Sequence, residues 1–425
     1  VGYVLTKISV TIAAGGIVFE VLMGIDFWVG AFAVVVATGI YTVFGGLRAV
    51  LYTDLLQMFI LIGGAIAVTV IGLNAAGGWQ VVYDTAGSEF FNMWKPLSDP
   101  NFPWTGILFG APILGVWYWC TDQFIVQRVL SAHNLDNARR GSIFAAFLKL
   151  LPVFLFVLPG VIAYTLVEQG QLSLSKPDDA LPAMVATLLP AGLRGLVVAG
   201  MLAALMSSLS SVFNSCSTLI TWDLYRKLRP GASDRTLVRV GQVSTAVLVC
   251  FGLLWIPMIQ LISGQIYQYL QSVQAYISPP IAAVFLLGIF WRRVNSQGAV
   301  ASLATGFVLG ISRLILELNK SSLGDGWLLV FADINFLHFA VLLFAVCSLV
   351  LIVVSLLTPA PADEQVAGIT FQTIGEEARG EEEAELGAGE MLPEAGTDIA
   401  WRRKDLALSL VVIAGVGATW LYFSG

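Results

Sequence analysis

Residues 201–220 read MLAALMSSLSSVFNSCSTLI. They lie inside the apolar run 194–222, long enough for the roughly 20-residue helix that crosses a bilayer. Yet the stretch carries Ser207, Ser208, Ser210, Ser211, Asn214, Ser215, Ser217 and Thr218. At about 100° per residue, Ala204, Ser207, Ser208, Ser211, Asn214, Ser215 and Thr218 fall within an arc of roughly 120°. The opposite side is Leu205, Met206, Leu209, Val212, Phe213, Cys216, Leu219 and Ile220. Two explanations fit such a stripe. Small polar residues let helices approach closely and bond to one another or to their own backbone. Alternatively, hydroxyl and carbonyl oxygens line a path for a hard cation, which prefers oxygen to sulfur or imidazole. This stretch alone leaves both open.

The rest of the chain places the stripe in a membrane. Of 425 residues, 57% are hydrophobic and 12% charged, about half the charge of a typical soluble domain. Apolar runs at 3–23, 28–46, 53–73, 104–127, 140–166, 194–222, 236–262, 275–291, 297–318, 334–358 and 405–423 predict about eleven spanning helices. The alternation of a β-barrel is missing, so the expected class is an all-α polytopic bundle. Alternating the connections between two sides gathers Arg48, Arg128, Arg139, Arg140, Arg226, Lys227, Arg229, Arg235, Arg292, Arg293, Arg402, Arg403 and Lys404 on one of them. Only Lys95, Lys176, Arg194 and Lys320 fall on the other. The basic side is therefore expected to be cytoplasmic, with the C-terminus outside.

Net charge is −6, but 359–400 holds eleven acids and one base, for −10, which leaves +4 for the membrane body. That acidic, Gly- and Ala-rich segment is read as a solvated cytoplasmic loop without fixed structure. The expected organisation is a core over 1–320, a further helix in 321–358, the acidic loop 359–400 and a last helix in 401–425. The four cysteines all fall in apolar spans, so no disulfide framework is expected. HExxH, Walker A and GxSxG signatures are missing from any catalytic setting, as is a TVGYG-type filter loop. Neither an enzyme nor a potassium-type pore is indicated.

Other polar residues sit where hydrocarbon makes them expensive. Lys149, just before Pro152, either snorkels to the inner interface or faces a polar cavity. Asp54, after an inner connection and with Gln57 three residues on, reads as a helix cap. Asp122 and Asp223 read as partners for basic loop residues. Gln271 lies in a span expected to break at Gly264 and at Pro279-Pro280, and broken spans are a transporter device for exposing backbone groups. Trp117–Cys120 gives an aromatic surface next to Thr121, Asp122 and Gln123. Such a surface suits a sugar ring, or is ordinary packing.

Taken in order, GGLRAVLYTDLLQ (45–57), YWCTDQFIVQRVLSA (118–132), FLKLLP (147–152), GLRGLVVAGMLAALMSSLSSVFNSCSTLITWDLY (192–225) and SPPIAAVFLLGIFWRRVN (278–295) resemble the solute:sodium symporter family, in particular its sodium/glucose cotransporter branch. The resemblance runs from Val1 to about Leu316 and returns in the last span. It implies a leucine-transporter-type bundle of two inverted repeats. It also aligns Val1–Leu22 with the third core helix, so the first two core helices are expected to lie outside this chain.

Carried over by position, the resemblance implies a sodium site using the Ala204 carbonyl and the Ser207 and Ser208 hydroxyls, completed by carbonyls of the first core helix. Asp54 and Ser210 match positions at which some members bind a second sodium. Trp119 is expected to stack on a sugar ring, with Tyr118 as the inner gate. Lys149 and Gln271 would bond sugar hydroxyls, and Tyr267 matches an outer-gate aromatic. Gly115 and Gln274 depart from the family pattern, which leaves the particular sugar open. The expected activity is sodium-driven symport of a glucose- or galactose-like monosaccharide across the plasma membrane by alternating access. Symport of another solute such as inositol, and a sugar-gated sensor or channel, stand as alternatives. The expected partners are a sugar or polyol, Na+ and membrane lipid, with no nucleic acid.

Overall fold

The computed structural model describes residues 2–262, 266–373 and 396–424. The first helices are α1 (Gly2–Met23), α2 (Phe27–Ala75) and α3 (Trp79–Ala86). Then come α4 (Ala111–Cys120), α5 (Gln123–Leu130), α6 (Leu135–Leu148), α7 (Leu158–Glu168), α8 (Ala180–Leu188) and α9 (Ala191–Thr218). The chain continues through α10 (Arg226–Leu228), α11 (Asp234–Ile262), α12 (Ile266–Phe290), α13 (Ser296–Leu318), α14 (Trp327–Asp333) and α15 (Phe336–Leu357). It ends with the short α16 (Asp363–Val366) and α17 (Gly396–Tyr422). Wider π-helical turns run into α4 (Gly106–Gly110) and α7 (Val153–Val157) and out of α9 (Leu219–Tyr225).

Helix starts follow capping chemistry. Asp26 accepts from the backbone N–H of Trp28 and Val29, Asn134 from Asn137, Asn295 from Gly298 and Asn335 from Leu337. Each satisfies a donor that the first helical turn leaves open. Among the described residues nine helices are long and apolar enough to span a membrane, and Phe27–Ile40 and Gly106–Cys120 are shorter apolar stretches. These match the positions of the expected spans.

The helices cluster into two compact units. The first comprises Val1–Trp94, Gln127–Leu270 and Val412–Gly425. Its core gathers Val68 of α2, Ile162 and Leu166 of α7, Met184 and Val185 of α8 and Val197 of α9. α2 and α9 run antiparallel at close range. A Cβ on Gly200 would stand 3.0 Å from Ile60, and one on Gly64 3.1 Å from Val197. In lipid the hydrophobic effect does not separate helix from helix, so close approach of small residues supplies the attraction.

The second unit comprises Lys95–Val126 and Gln271–Val411. Its core brings Leu114 of α4, Ala275, Tyr276 and Ala283 of α12, and Phe336, Phe339, Leu343 and Cys347 of α15 together. α13 presents Gly298, Ser302, Gly306 and Gly310 at four-residue steps. Ser302 Oγ donates to the Cys347 carbonyl at 2.9 Å. A Cβ on Gly306 would meet the Pro280 ring at 2.4 Å, and one on Gly310 the Tyr276 carbonyl oxygen at 2.4 Å.

Three expectations need correction. First, 28–46 and 53–73 were expected as separate spans, but they form the single 49-residue helix α2. The connecting sequence has no proline and only Gly45-Gly46 as weak breakers, so the backbone ladder continues. Asp54 is therefore inside a helix and caps nothing. Second, Pro279 and Pro280 do not break their span and lie within α12. Pro280 lacks the N–H that would serve the Tyr276 carbonyl, and that carbonyl instead faces Gly310, where no side chain intrudes. Gly264 lies outside the described residues. Third, 359–373 is ordered. Thr373 Oγ1 donates to the Val366 carbonyl at 2.7 Å, and the Phe371 N–H donates to the Ile289 carbonyl at 3.1 Å, capping the end of α12. Residues 374–395 of the acidic segment lie outside the described residues, and α17 begins at Gly396.

Candidate functional site

The close antiparallel packing of α2 and α9 carries Asp54 to the hydroxyl stripe. Ser207 Oγ donates to Asp54 Oδ1 in a short hydrogen bond. Arg128 of α5 approaches from a third direction. Its Nη2 donates to Asp54 Oδ2 at 2.8 Å and to Ser211 Oγ at 2.5 Å. The neighbouring Gln127 donates through Nε2 to the Ser211 carbonyl at 3.2 Å and accepts from Asn214 Nδ2 at 3.1 Å. Ser210 Oγ turns back to the Ser207 carbonyl at 2.9 Å, and Thr218 Oγ1 to the Asn214 carbonyl at 2.9 Å.

The stripe thus divides by partner. Ser207, Ser211 and Asn214 reach neighbouring helices, whereas Ser210 and Thr218 serve their own. Ser210 and Ser211 are wholly buried, while Ala204, Ser207 and Ser208 are half-buried. Ser208 has no hydrogen-bond partner among the described residues.

This donor set suits a hard cation. A serine hydroxyl has one hydrogen to give and two lone pairs to offer. Ser207 spends its hydrogen on Asp54, which leaves its lone pairs turned away from the carboxylate, and the Ser208 oxygen is uncommitted. No group of three or more His, Cys, Asp or Glu able to hold a metal occurs among the described residues. A cation held by this helix would draw on hydroxyl and carbonyl oxygen, with the Asp54 carboxylate adjoining.

Arg128 and Gln127 are neighbours of the candidate site that sequence reasoning missed. Arg128 counted there only as a basic residue of an inner connection. Its adjacency to the apolar Ile125-Val126 within α5 was the available signal, because a helical Arg there needs a partner.

The remaining candidates are distributed over both units. In the first, Lys149 is the C-cap of α6, where its N–H bonds the Ala145 carbonyl at 3.0 Å, and its side chain is exposed. The helix gives way to a turn at Lys149-Leu150 and resumes at Leu151, so the lysine marks a break and not a mid-helix position. Tyr267 stands near the start of α12 and is exposed. In the second unit, Tyr118 is half-buried between Trp119 and Phe124, with ring centroids 5.5 Å and 6.3 Å away. Trp119 is 41% exposed. Gly115, one turn earlier on α4, opens onto space, since a Cβ there would meet nothing within 4 Å. Gln271 is half-buried on α12. Asp122 accepts from the Phe124 N–H at 3.1 Å at the start of α5.

Comparison with known proteins identifies the family of this helical bundle. The model of the sodium:solute symporter family matches residues 1–306. A sodium/mannose cotransporter of Bos taurus is 38% identical over 409 residues, covering 88% of this chain and 68% of the relative. A sodium/myo-inositol cotransporter 2 of Mus musculus is 39% identical, covering 87% and 60% respectively. A sodium/glucose cotransporter 1 of Oryctolagus cuniculus is 36% identical, covering 93% and 66%. The chain thus spans about two thirds or less of these relatives' lengths. Among solved structures, a Na+-coupled sialic acid symporter in a substrate-bound outward-open state superposes with a TM-score of 0.67 at 21% identity. That match covers 84% of this chain and 72% of the other.

The chain belongs to the sodium:solute symporter family. Its fold is the leucine-transporter-type helical bundle, it is an integral membrane protein, and sodium is the coupling ion of its family.

Proposed function

We propose that this protein carries out sodium-driven symport of a monosaccharide or polyol by alternating access. The observation that carries the reading is the set of similar relatives. Their names differ in the solute (mannose, glucose, myo-inositol), yet each is a sodium cotransporter of a polyhydroxy compound. Sodium, as cargo, binds the Ala204 carbonyl and the Ser207 and Ser208 hydroxyls. Asp54 takes the Ser207 hydrogen and so aims that oxygen's lone pairs at the ion. Asp54 and Ser210 belong to an adjoining cation-attracting region. The solute stacks on Trp119 over the open face at Gly115, with Tyr118 beneath it. By the family resemblance, Gln271 and Lys149 are the residues proposed to bond its hydroxyls and Tyr267 the outer-gate aromatic.

Coupling follows if sodium and solute both bind better to one conformational state than to the other. The basic connections face the cytoplasm, the C-terminus faces outward, and the membrane is the plasma membrane. The acidic segment serves as a cytoplasmic loop.

The test is uptake of labelled mannose, glucose and myo-inositol into proteoliposomes bearing the full-length protein, with and without a sodium gradient. Sodium-stimulated accumulation of at least one is the expected result. Solute-evoked current without accumulation would replace symport with a sugar-gated channel or sensor.

A further inference from the structure

Five aromatic rings converge where α17 ends against α3 and the turn that follows it. Trp79 and Tyr83 stand one turn apart on α3, and both meet Phe91, with ring centroids 5.3 Å and 5.0 Å away. Backbone pairing ties the end of α17 to the same segment. The Met93 N–H donates to the Phe423 carbonyl at 2.8 Å, and Asn92 and Ser424 form an antiparallel bridge. Phe423 thereby lies nearly parallel to Phe91, at 6.4 Å, and Tyr422 meets Phe423 edge-on at 4.9 Å. Trp79, Tyr83, Phe91, Tyr422 and Phe423 line a cavity of about 250 Å³. Phe91 is buried, but Tyr83 and Tyr422 are exposed, so core packing does not explain why they gather there.

Such a lining suits a cation. The face of each ring carries negative charge density and attracts a cation within about 6 Å of its centroid. Residues 76–94 hold Asp84 and Glu89 and neither Lys nor Arg, and 412–425 hold no charged residue. The local charge therefore repels an anion, and neither segment supplies a basic side chain to fill the space. A small metal ion wants oxygen ligands that these side chains barely offer. A sugar wants one flat platform and a rim of hydrogen-bonding groups. Here Trp79 meets Phe91 at 63° and Tyr422 meets Phe423 at 88°, so the rings stand as walls. A quaternary ammonium has no hydrogen to donate and an apolar shell, and aromatic walls are what recognise it. The spanning part of α17 ends at Tyr422, which sets the cavity at headgroup depth. Trp94 and Trp420, 5.4 Å apart beside it, are the residue type that marks that depth.

We propose that this cavity binds a trimethylammonium cation, presented by the headgroup of phosphatidylcholine at that face of the membrane. None of its five residues belongs to the sodium or solute positions, so the site stands or falls independently of symport.

The experiment is native mass spectrometry of the purified full-length protein in an uncharged polyoxyethylene detergent. Dihexanoyl phosphatidylcholine, phosphatidylethanolamine and phosphatidylglycerol are titrated separately, with free choline and glucose as competitors. One phosphatidylcholine should bind about tenfold more tightly than either other lipid. Tyr422→Leu, which keeps apolar bulk but removes a ring, should weaken that binding about threefold or more. Phe90→Leu removes a ring that stacks on Tyr164 outside the cavity and should leave binding unchanged. If Tyr422→Leu fails to fold, Tyr83→Leu and the headgroup contrast in the wild type still decide. Equal binding of the three lipids, or the same loss in Phe90→Leu as in Tyr422→Leu, would overturn the proposal. Free choline binding as tightly as the lipid would overturn phosphatidylcholine as the source, and displacement by glucose would make the cavity a sugar site instead.

Discussion

Ser208 and Gln271 are proposed for different ligands, and their substitution should separate accordingly. Ser208→Ala removes an uncommitted oxygen at the ion site, and one lost contact of this kind is worth about 1 kcal/mol or somewhat more. It is expected to raise the half-saturating sodium concentration about fivefold, with a smaller effect on solute affinity. Gln271→Ala is expected to do the reverse. Sodium and solute titrations of uptake check this, and equal loss of sodium affinity in both variants would contradict the division. Gly115 offers a second test, because a side chain there enters open space beside Trp119. Gly115→Ser should leave thermal stability unchanged or slightly raised, since glycine is a poor helix former. It should also shift the preference among mannose, glucose and myo-inositol in competition uptake. The face of α9 was legible at this scale because a helix places every third and fourth residue together. The identity of its partners was not. Asp54, Arg128 and Ser207 are brought together only by tertiary packing, which no local period encodes, and so Asp54 read as a cap and Arg128 as a loop charge.

At the scale of elements, apolar length carried most of the information. A run long enough to cross hydrocarbon has few other stable forms, which is why α9, α13 and α15 were visible in advance. Boundaries set by weak signals were not. Gly45-Gly46 looked sufficient to end a helix and did not, whereas Pro279-Pro280 looked sufficient to break one and was absorbed. In the second case the compensation lies on α13, where Gly310 makes room for the carbonyl that Pro280 cannot serve. This predicts a contrast between two glycines. Gly310→Ala drives a methyl to 2.4 Å from the Tyr276 carbonyl oxygen and should cost about 1–3 kcal/mol. Gly288→Ala, with nothing within 4 Å, should be neutral or stabilising by up to about 1 kcal/mol. Thermal denaturation of the purified protein in detergent reads both, and an equal effect would contradict the packing argument.

For the whole molecule, the distribution of basic residues predicts orientation. A single cysteine at Ser98, in a background with Cys120 and Cys250 replaced, should react with an impermeant maleimide applied to intact cells. One at Asn137 should react only after permeabilisation, and the opposite pattern would invert the proposed topology. The pairing of Arg128 with Asp54 weakens that bias by one residue, since Arg128 is committed inside the fold, but the remaining basic residues still favour the same side. The seam where Pro280 meets Gly306, Tyr276 meets Gly310 and Ser302 meets Cys347 has a further consequence. Two helices can slide past one another only if there is clearance between them, and here there is none. Any sliding of α12, α13 and α15 along that line would have to break the Ser302–Cys347 hydrogen bond and the Gly306 and Gly310 contacts together, so the three are expected to move as one body.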